Sequence, residues 1–136
     1  MKAPLACVLA VEDHPEIGDL IRAALTRARI EATLITTGEE ALAVVREQPF
    51  DLILLDIALP GIRGLDVCRR LKSDKTLRHL PVIFVSGQTS KAYHDEARRL
   101  GAVDFFEKPF ELLDFLARMM GQLRLQTNRG TQLQLS

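Results

Sequence analysis

The 136-residue chain has 18 lysine and arginine residues against 18 aspartate and glutamate residues, so its formal net charge is zero. This length fits one domain, and 47% hydrophobic with 26% charged residues is ordinary for a soluble globular protein. The balanced charge excludes a global field that attracts nucleic acid, and no apolar run approaches the roughly 20 residues that span a bilayer. We therefore expect neither direct nucleic-acid binding nor membrane insertion.

Short strand-like runs alternate with longer helical segments five times along the chain. The predicted strands are Leu5–Val11, Glu31–Thr36, Asp51–Leu55, Pro81–Ser86 and Ala102–Phe106. Several of these runs are continuously apolar, which is typical of parallel strands covered on both faces. Apolar residues at helical spacing or helix start and stop signals predict a helix after each strand, at Pro15–Ala28, Glu39–Glu47, Leu65–Lys72, Lys91–Leu100 and Leu112–Leu123.

Proline and glycine mark several helix ends: Pro15 suits a first helical turn, Pro49 ends the second helix and Gly101 suits a C-terminal cap. Repeated strand–helix units imply right-handed crossovers and helices on both faces of the sheet. We predict a three-layer α/β/α sandwich, a doubly wound, flavodoxin-like fold with a five-stranded parallel sheet in the order 2-1-3-4-5. The domain is expected to span residues 1–123, and the polar tail 124–136 is expected to fray.

Polar side chains follow four of the predicted strands. The acidic pair Glu12 and Asp13 follows the first strand, Asp56 the third, and Ser86 and Lys108 end the fourth and fifth. In open α/β sheets ligands bind beyond the carboxyl ends of the strands, where the strand order reverses. These five residues are therefore expected to share one crevice.

Three carboxylates in one crevice repel one another unless they are paired or bind a metal ion. Mg²⁺ prefers oxygen ligands, including carboxylates and phosphate, whereas Zn²⁺ prefers histidine or cysteine. The histidines at positions 14, 79 and 94 form no such cluster in the sequence, and His14 is interpreted as a solvent-facing turn residue. The sequence thus predicts a Mg²⁺ site.

Four motifs at the strand ends have the order and spacing of a known family: Val11-Glu12-Asp13, Leu54-Leu55-Asp56-Ile57 with Leu59-Pro60-Gly61, Val85-Ser86-Gly87 and Lys108-Pro109-Phe110. They resemble the receiver domains of bacterial two-component response regulators. The resemblance extends from about Leu5 to Leu123, nearly the whole chain.

The resemblance implies that Asp56 accepts a phosphoryl group from a phosphohistidine of a sensor histidine kinase or a histidine phosphotransfer protein. It also implies that Mg²⁺ is held by Glu12, Asp13, Asp56 and the backbone carbonyl of Ile57. Lys108 would compensate charge on another side of the phosphoryl group, so that catalysis is mostly positioning and electrostatics.

The remaining positions implied by the resemblance concern switching and lifetime. Ser86 is the switch hydroxyl and Phe105 the switch aromatic, although phenylalanine lacks the phenolic hydroxyl that some family members use. Ala58 and Gln88 occupy positions that tune phosphoryl lifetime. The peptide bond before Pro109 is expected to be cis.

Each of these residues also has an ordinary structural interpretation. Asp56 could simply begin a turn, and Glu12 with Asp13 could stabilise the N-terminus of the next helix. Ser86 could cap or turn the chain, and Phe105 could be part of the core. The functional interpretation depends on the joint pattern.

Two other functions are considered. A flavodoxin-like cofactor carrier would need a phosphate-cradling loop after the first strand, where Glu12-Asp13-His14-Pro15 would instead repel phosphate. A phosphohydrolase working through an aspartyl phosphate would need a second acid, which Asp56-Ile57-Ala58 lacks. We therefore expect a signalling switch with slow self-dephosphorylation at most, rather than an enzyme.

The residues after Leu123 are too few for a DNA-binding domain, so a stand-alone protein that regulates another protein is expected, with a fragment of a larger chain as the alternative. Ile17 and Leu20, with the segment after Pro109, are candidates for docking a kinase, with core packing as an equal alternative. We expect a cytoplasmic location and leave a phosphorylation-dependent homodimer open.

Overall fold

A computed structural model describes residues 4–87 and 90–135, with side chains described up to residue 124. Five strands form one sheet, and one helix follows each strand. The strands are β1 (Ala6–Val11), β2 (Ile30–Ile35), β3 (Leu52–Leu55), β4 (Val82–Ser86) and β5 (Asp104–Glu107). The helices are α1 (Pro15–Arg27), α2 (Gly38–Glu47), α3 (Gly64–Ser73), α4 (Lys91–Arg99) and α5 (Leu112–Leu135).

The sheet is parallel throughout, with the strand order β2-β1-β3-β4-β5. Alternate residues of the central strands point to opposite faces, so each face has its own hydrophobic cluster. One cluster joins Leu9 and Ile53 to helices α2, α3 and α4, and the other joins Val8 and Leu52 to α1 and α5. The predicted three-layer, doubly wound fold is confirmed.

The register of the sheet brings the strand ends close to one level. Val11, the last residue of β1, lies opposite Leu55 at the end of β3, and Ser86 at the end of β4 lies opposite Glu107. Parallel strands in register present their carboxyl ends at the same edge. The polar residues that follow these strands therefore start from neighbouring positions.

Most boundaries agree with the sequence prediction to within one residue, and two differ by more. β5 begins at Asp104 rather than Ala102, because the chain first turns at Gly101, with φ of 92°, before Val103 N–H donates to the Val82 carbonyl. The α5 backbone continues to Leu135, where a frayed tail is predicted from Arg124. That segment is rich in leucine, glutamine and arginine, which favour helix; the domain boundary at residue 123 stays a prediction.

In the described residues, no helix has the length and apolarity needed to cross a bilayer.

Gly64 fixes the approach of α3 to the end of β3. A Cβ at this position would lie 2.0 Å from the Asp56 carbonyl oxygen, and the Gly64 N–H donates to the Ile57 carbonyl at 2.9 Å. Only a residue without a side chain allows this approach. The first turn of α3 thereby packs directly on the backbone of the predicted phosphoacceptor.

Gly64→Ala is expected to lower the free energy of unfolding by at least about 2 kcal/mol, because the new methyl group overlaps backbone that cannot rotate away. Gly121→Ala in α5 is the matched control, since its Cβ would meet nothing within 4 Å. The control should be neutral or stabilising by up to about 1 kcal/mol through helix propensity. Urea unfolding followed by circular dichroism measures both; equal midpoints for the two variants would contradict the close approach.

Candidate phosphoacceptor site

Backbone hydrogen bonds extend past the strands and fix the predicted site residues. Glu12 N–H donates to the Ile35 carbonyl at 2.9 Å, and Asp56 N–H donates to the Val11 carbonyl at 3.1 Å. Lys108 N–H donates to the Ser86 carbonyl at 2.8 Å. These backbone bonds hold the polar residues as rigidly as the strands themselves. Their side chains are therefore fixed at the edge of the sheet.

Lys108 lies between two buried carboxylates. Its Nζ is 2.6 Å from Glu12 Oε1 and 2.8 Å from Asp56 Oδ2. The side chains of Glu12 and Asp56 are 3% and 2% exposed, and that of Lys108 is 14% exposed. Buried charges of this kind persist only when paired. Residues that are 44 or more positions apart in the sequence therefore share one pocket, as the strand-end pattern predicts.

Electrostatics keep this pocket short of positive charge. Burial raises the pKa of the Glu12 carboxyl group, and the nearby Asp56 carboxylate raises it further against the effect of Lys108. Burial lowers the pKa of Lys108, but its contacts with Asp56 and Glu12 outweigh burial, so the pKa is raised overall. The ammonium is therefore held protonated, and one positive group faces two acids.

Both oxygens of Asp56 are positioned by contacts. Oδ2 accepts from the Lys108 ammonium, and Oδ1 accepts from the Ala58 N–H at 3.0 Å. The Ile57 carbonyl accepts from the Gly64 N–H, which directs it toward the start of α3. The role of the Ile57 carbonyl as a metal ligand stays a prediction.

Asp13 and His14 complete the edge of the pocket. Asp13 Oδ1 is buried and accepts no hydrogen bond from the described part of the chain. His14 Nδ1 lies 3.1 Å from Glu12 Oε2 and 3.3 Å from Asp13 Oδ1. The hydrogen bond with Glu12, together with the charges of both carboxylates, raises the pKa of His14.

The donor set fits a divalent cation. One ligand atom from each of Glu12, Asp13, His14 and Asp56 lies within 4.8 Å of the others. A buried carboxylate oxygen without a donor, in a cluster of acids, is what a hard cation with oxygen ligands would satisfy. The residues present therefore suit the Mg²⁺ that the sequence predicts.

The predicted switch residues lie on β4 and β5, and the Ser86 carbonyl accepts from the Lys108 N–H. Ser86 is fully buried at the end of β4. Phe105 is half-buried and packs against the core, with its ring stacked on His94 of α4 at 3.8 Å between centroids. Ala58, two residues after Asp56, is exposed. Gln88 lies outside the described residues. The Lys108–Pro109 peptide bond is cis.

Sequence reasoning missed two side chains at the site. The orientation of His14 toward the acids was not foreseen, since its position suggested only an exposed turn. Glu39 in the first turn of α2 accepts from the Ile62 N–H at 2.6 Å and so anchors the loop after Asp56. An acidic residue there is ordinarily explained by the helix dipole, so no local signal points to this long-range contact.

The match to known proteins agrees with this geometry. The family described as response regulator receiver domain matches residues 8–120 of the chain. The chain belongs to this family. Accepting a phosphoryl group is a general function of this family. Receiver domains bind Mg²⁺ at an acidic pocket and act as signalling switches rather than as classical enzymes. The cofactor-carrier alternative is thereby set aside.

Individual curated relatives match most of this chain and are longer than it. The chain is 35% identical over 120 residues to the uncharacterized transcriptional regulatory protein YrkP of Bacillus subtilis, covering 88% of this chain and 50% of YrkP. It is 35% identical to the sensory transduction protein RegX3 of Mycobacterium tuberculosis, covering 88% of this chain and 52% of that protein. The chain thus spans about half the length of these curated relatives.

Solved structures of similar proteins superpose closely. A CheY-like receiver domain protein from Methanospirillum hungatei has a TM-score of 0.86 at 26% identity, covering 92% of this chain and 98% of that one. The BeF3-activated receiver domain of Klebsiella pneumoniae RstA has a TM-score of 0.81 at 32% identity, covering 87% and 98%. The fold and strand order are therefore those of a receiver domain.

Lys108→Ala is expected to lower the free energy of unfolding by about 3 kcal/mol without metal, because two buried carboxylates lose their shared cation. Adding Mg²⁺ should raise the unfolding midpoint more in this variant than in the native protein, since the pocket is then more negative. Urea unfolding with and without Mg²⁺ measures both effects.

Exposed Lys75 supplies the control. Lys75→Ala should stay within about 0.5 kcal/mol of the native protein. If Lys108→Ala behaved like Lys75→Ala under both conditions, Lys108 would not be the cation that balances the pocket.

Proposed function

We propose that Asp56 accepts a phosphoryl group from a phosphohistidine of a partner protein, and that the chain then signals by a change of conformation. The observation that carries this proposal is the ammonium of Lys108, held between the buried carboxylates of Glu12 and Asp56. Family membership supports the reaction, and this geometry supports the choice of residues.

In the proposed reaction, an oxygen of Asp56 forms a bond to phosphorus as the phosphorus–nitrogen bond to histidine breaks. The departing imidazole keeps the electron pair and takes up a proton. Mg²⁺ held by Glu12, Asp13 and Asp56 would neutralise charge on the phosphoryl oxygens. The Nζ of Lys108 lies 2.8 Å from Asp56 Oδ2. The ammonium can therefore contact the phosphoryl group once that group is bound to Asp56. The two fixed contacts of Asp56 hold its carboxylate in place before reaction.

The proposed switch begins at Ser86 and ends at Phe105. Phosphoryl oxygens near Asp56 would draw the Ser86 hydroxyl, which lies at the end of the neighbouring strand. Phe105 would then turn inward and leave its stack on His94. Phosphorylation biases this equilibrium only by making better contacts in one of the two states.

Partner binding is a further part of the proposal. Leu20 on α1 is 50% exposed, which supports docking of a kinase or phosphotransfer protein there, whereas Ile17 is partly buried against the core. The downstream protein target, a cytoplasmic location, action as a stand-alone regulator and a phosphorylation-dependent homodimer all stay predictions. DNA binding is named for the relative MtrA of Mycolicibacterium smegmatis and belongs to that protein.

Incubation with Mg²⁺ and a small phosphodonor tests the acceptor. Intact-mass measurement is expected to show one added phosphoryl group on the native protein, removed by hydroxylamine, and none on Asp56→Asn, because an amide cannot form the acyl phosphate. Asp19→Asn, at an exposed position on α1, should label like the native protein. Equal labelling of Asp56→Asn and the native protein would refute Asp56 as the acceptor.

A further inference from the structure

The two oxygens of Glu12 face different groups. Oε1 lies against the Lys108 ammonium at 2.6 Å, and Oε2 lies against the His14 ring at 3.1 Å. Asp13 Oδ1 is on the imidazole side as well, at 3.3 Å from Nδ1. The ammonium and the imidazole therefore occupy two separate positions around the Glu12 carboxylate, the first shared with Asp56 and the second with Asp13.

The spacing on the imidazole side is that of ligands around one ion. Two adjacent ligands of an octahedral cation with bonds of about 2.1 Å lie about 3.0 Å apart. The distances from His14 Nδ1 to Glu12 Oε2 and Asp13 Oδ1 are 3.1 and 3.3 Å, and the Asp56 ligand atom lies within 4.8 Å of the rest. Asp13 Oδ1, which accepts no hydrogen bond among the described residues, faces this position.

The local backbone links the turn that carries His14 to the acidic pair. The His14 N–H donates to Glu12 Oε2 at 3.2 Å, which ties the turn to the acid. His14 is the N-cap of α1, yet its side chain makes no capping hydrogen bond. The ring is 61% exposed, so an ion and its waters can reach Nδ1 from solvent. The imidazole is thus available to a ligand.

We infer that His14 Nδ1 is a ligand of the metal site and that the site consequently prefers a first-row transition ion over Mg²⁺. This inference rests on the metal site of the proposed function. Imidazole suits transition ions, whereas Mg²⁺ prefers oxygen ligands and keeps its waters. Three carboxylates with one imidazole form a mixed donor set that favours ions such as Co²⁺. Lys108 remains on Glu12 Oε1, on the other side of the acid.

The simpler alternative is that His14 makes only ion pairs with the two acids. In that case the ring would be displaced or stay unbound when an ion enters, and the choice of ion would not depend on it. Direct coordination and ion pairing therefore predict different spectra and different selectivity.

Co²⁺ binding to the native protein tests the inference, with Mg²⁺ as the reference ion and no phosphodonor present. Calorimetry should show Co²⁺ binding at least about tenfold more tightly than Mg²⁺, and His14→Ala should lower the ratio of the two affinities about tenfold. Paramagnetic proton NMR of the Co²⁺ protein should show one exchangeable imidazole N–H signal, from Nε2, far outside the ordinary range. That signal should be absent in His14→Ala.

His79→Ala is the control, because His79 is exposed and lies outside the cluster; it should keep both the signal and the affinity ratio. The inference is overturned if the native protein lacks the shifted signal, if His14→Ala keeps it, or if the affinity ratio is the same in both. Phosphoryl labelling of Asp56 with Mg²⁺ is measured separately by mass. Phosphoryl labelling without the shifted imidazole N–H signal would therefore refute only this inference. A failure of labelling would count against the proposed function.

Discussion

The site depends on one interaction, the ammonium of Lys108 shared by two carboxylates inside a nearly closed pocket. Isolated charges in such a place would lose hydration that water otherwise provides, and would shift their pKa values until they were neutral. The shared ammonium lies within 2.8 Å of both carboxylates and supplies the opposite charge with which buried charges must be paired. Because one cation faces Glu12 and Asp56 together, with Asp13 close by, the pocket keeps an excess of negative charge that favours a further cation.

The sheet makes this arrangement possible by separating two tasks. Continuous apolar runs in β1, β3 and β4 form a core on both faces, where the side chains are almost completely buried. The polar residues come only after those runs, where the backbone is still bonded to the neighbouring strand but the side chain is released from the core. A displaced strand would move its polar residue together with its whole apolar set. Site geometry and core packing are therefore specified by the same register.

The sequence predicts those features that depend on local pattern. The strands, the helices and the strand order follow from apolar runs, turn residues and the handedness of crossovers, and the meeting of Glu12, Asp56 and Lys108 follows from the strand order. Contacts made by side-chain orientation could not be predicted in this way. The Glu39 carboxylate reaches Ile62, and the His94 ring lies on Phe105, because tertiary packing selects those rotamers. The start of β5 was misplaced since the turn after α4 takes two more residues.

The strand β5 connects the site to the surface by alternating its contacts. Asp104 pairs with Arg118 of α5, whose guanidinium also lies 4.0 Å from the centre of the Phe106 ring. Phe105 and Glu107 instead contact His94 of α4, by ring stacking and by a hydrogen bond of 3.0 Å between His94 Nε2 and Glu107 Oε1. The next residue is Lys108, whose ammonium touches Asp56.

In the proposed switch, a shift of the ammonium toward a phosphoryl group and a rotation of Phe105 would act on neighbouring residues of one short strand. Since His94 holds both Phe105 and Glu107, release of the stack weakens the tie between α4 and β5 while the Arg118 contacts of α5 remain. If the proposed switch operates, α4 rather than α5 would be the helix that moves when Asp56 is phosphorylated.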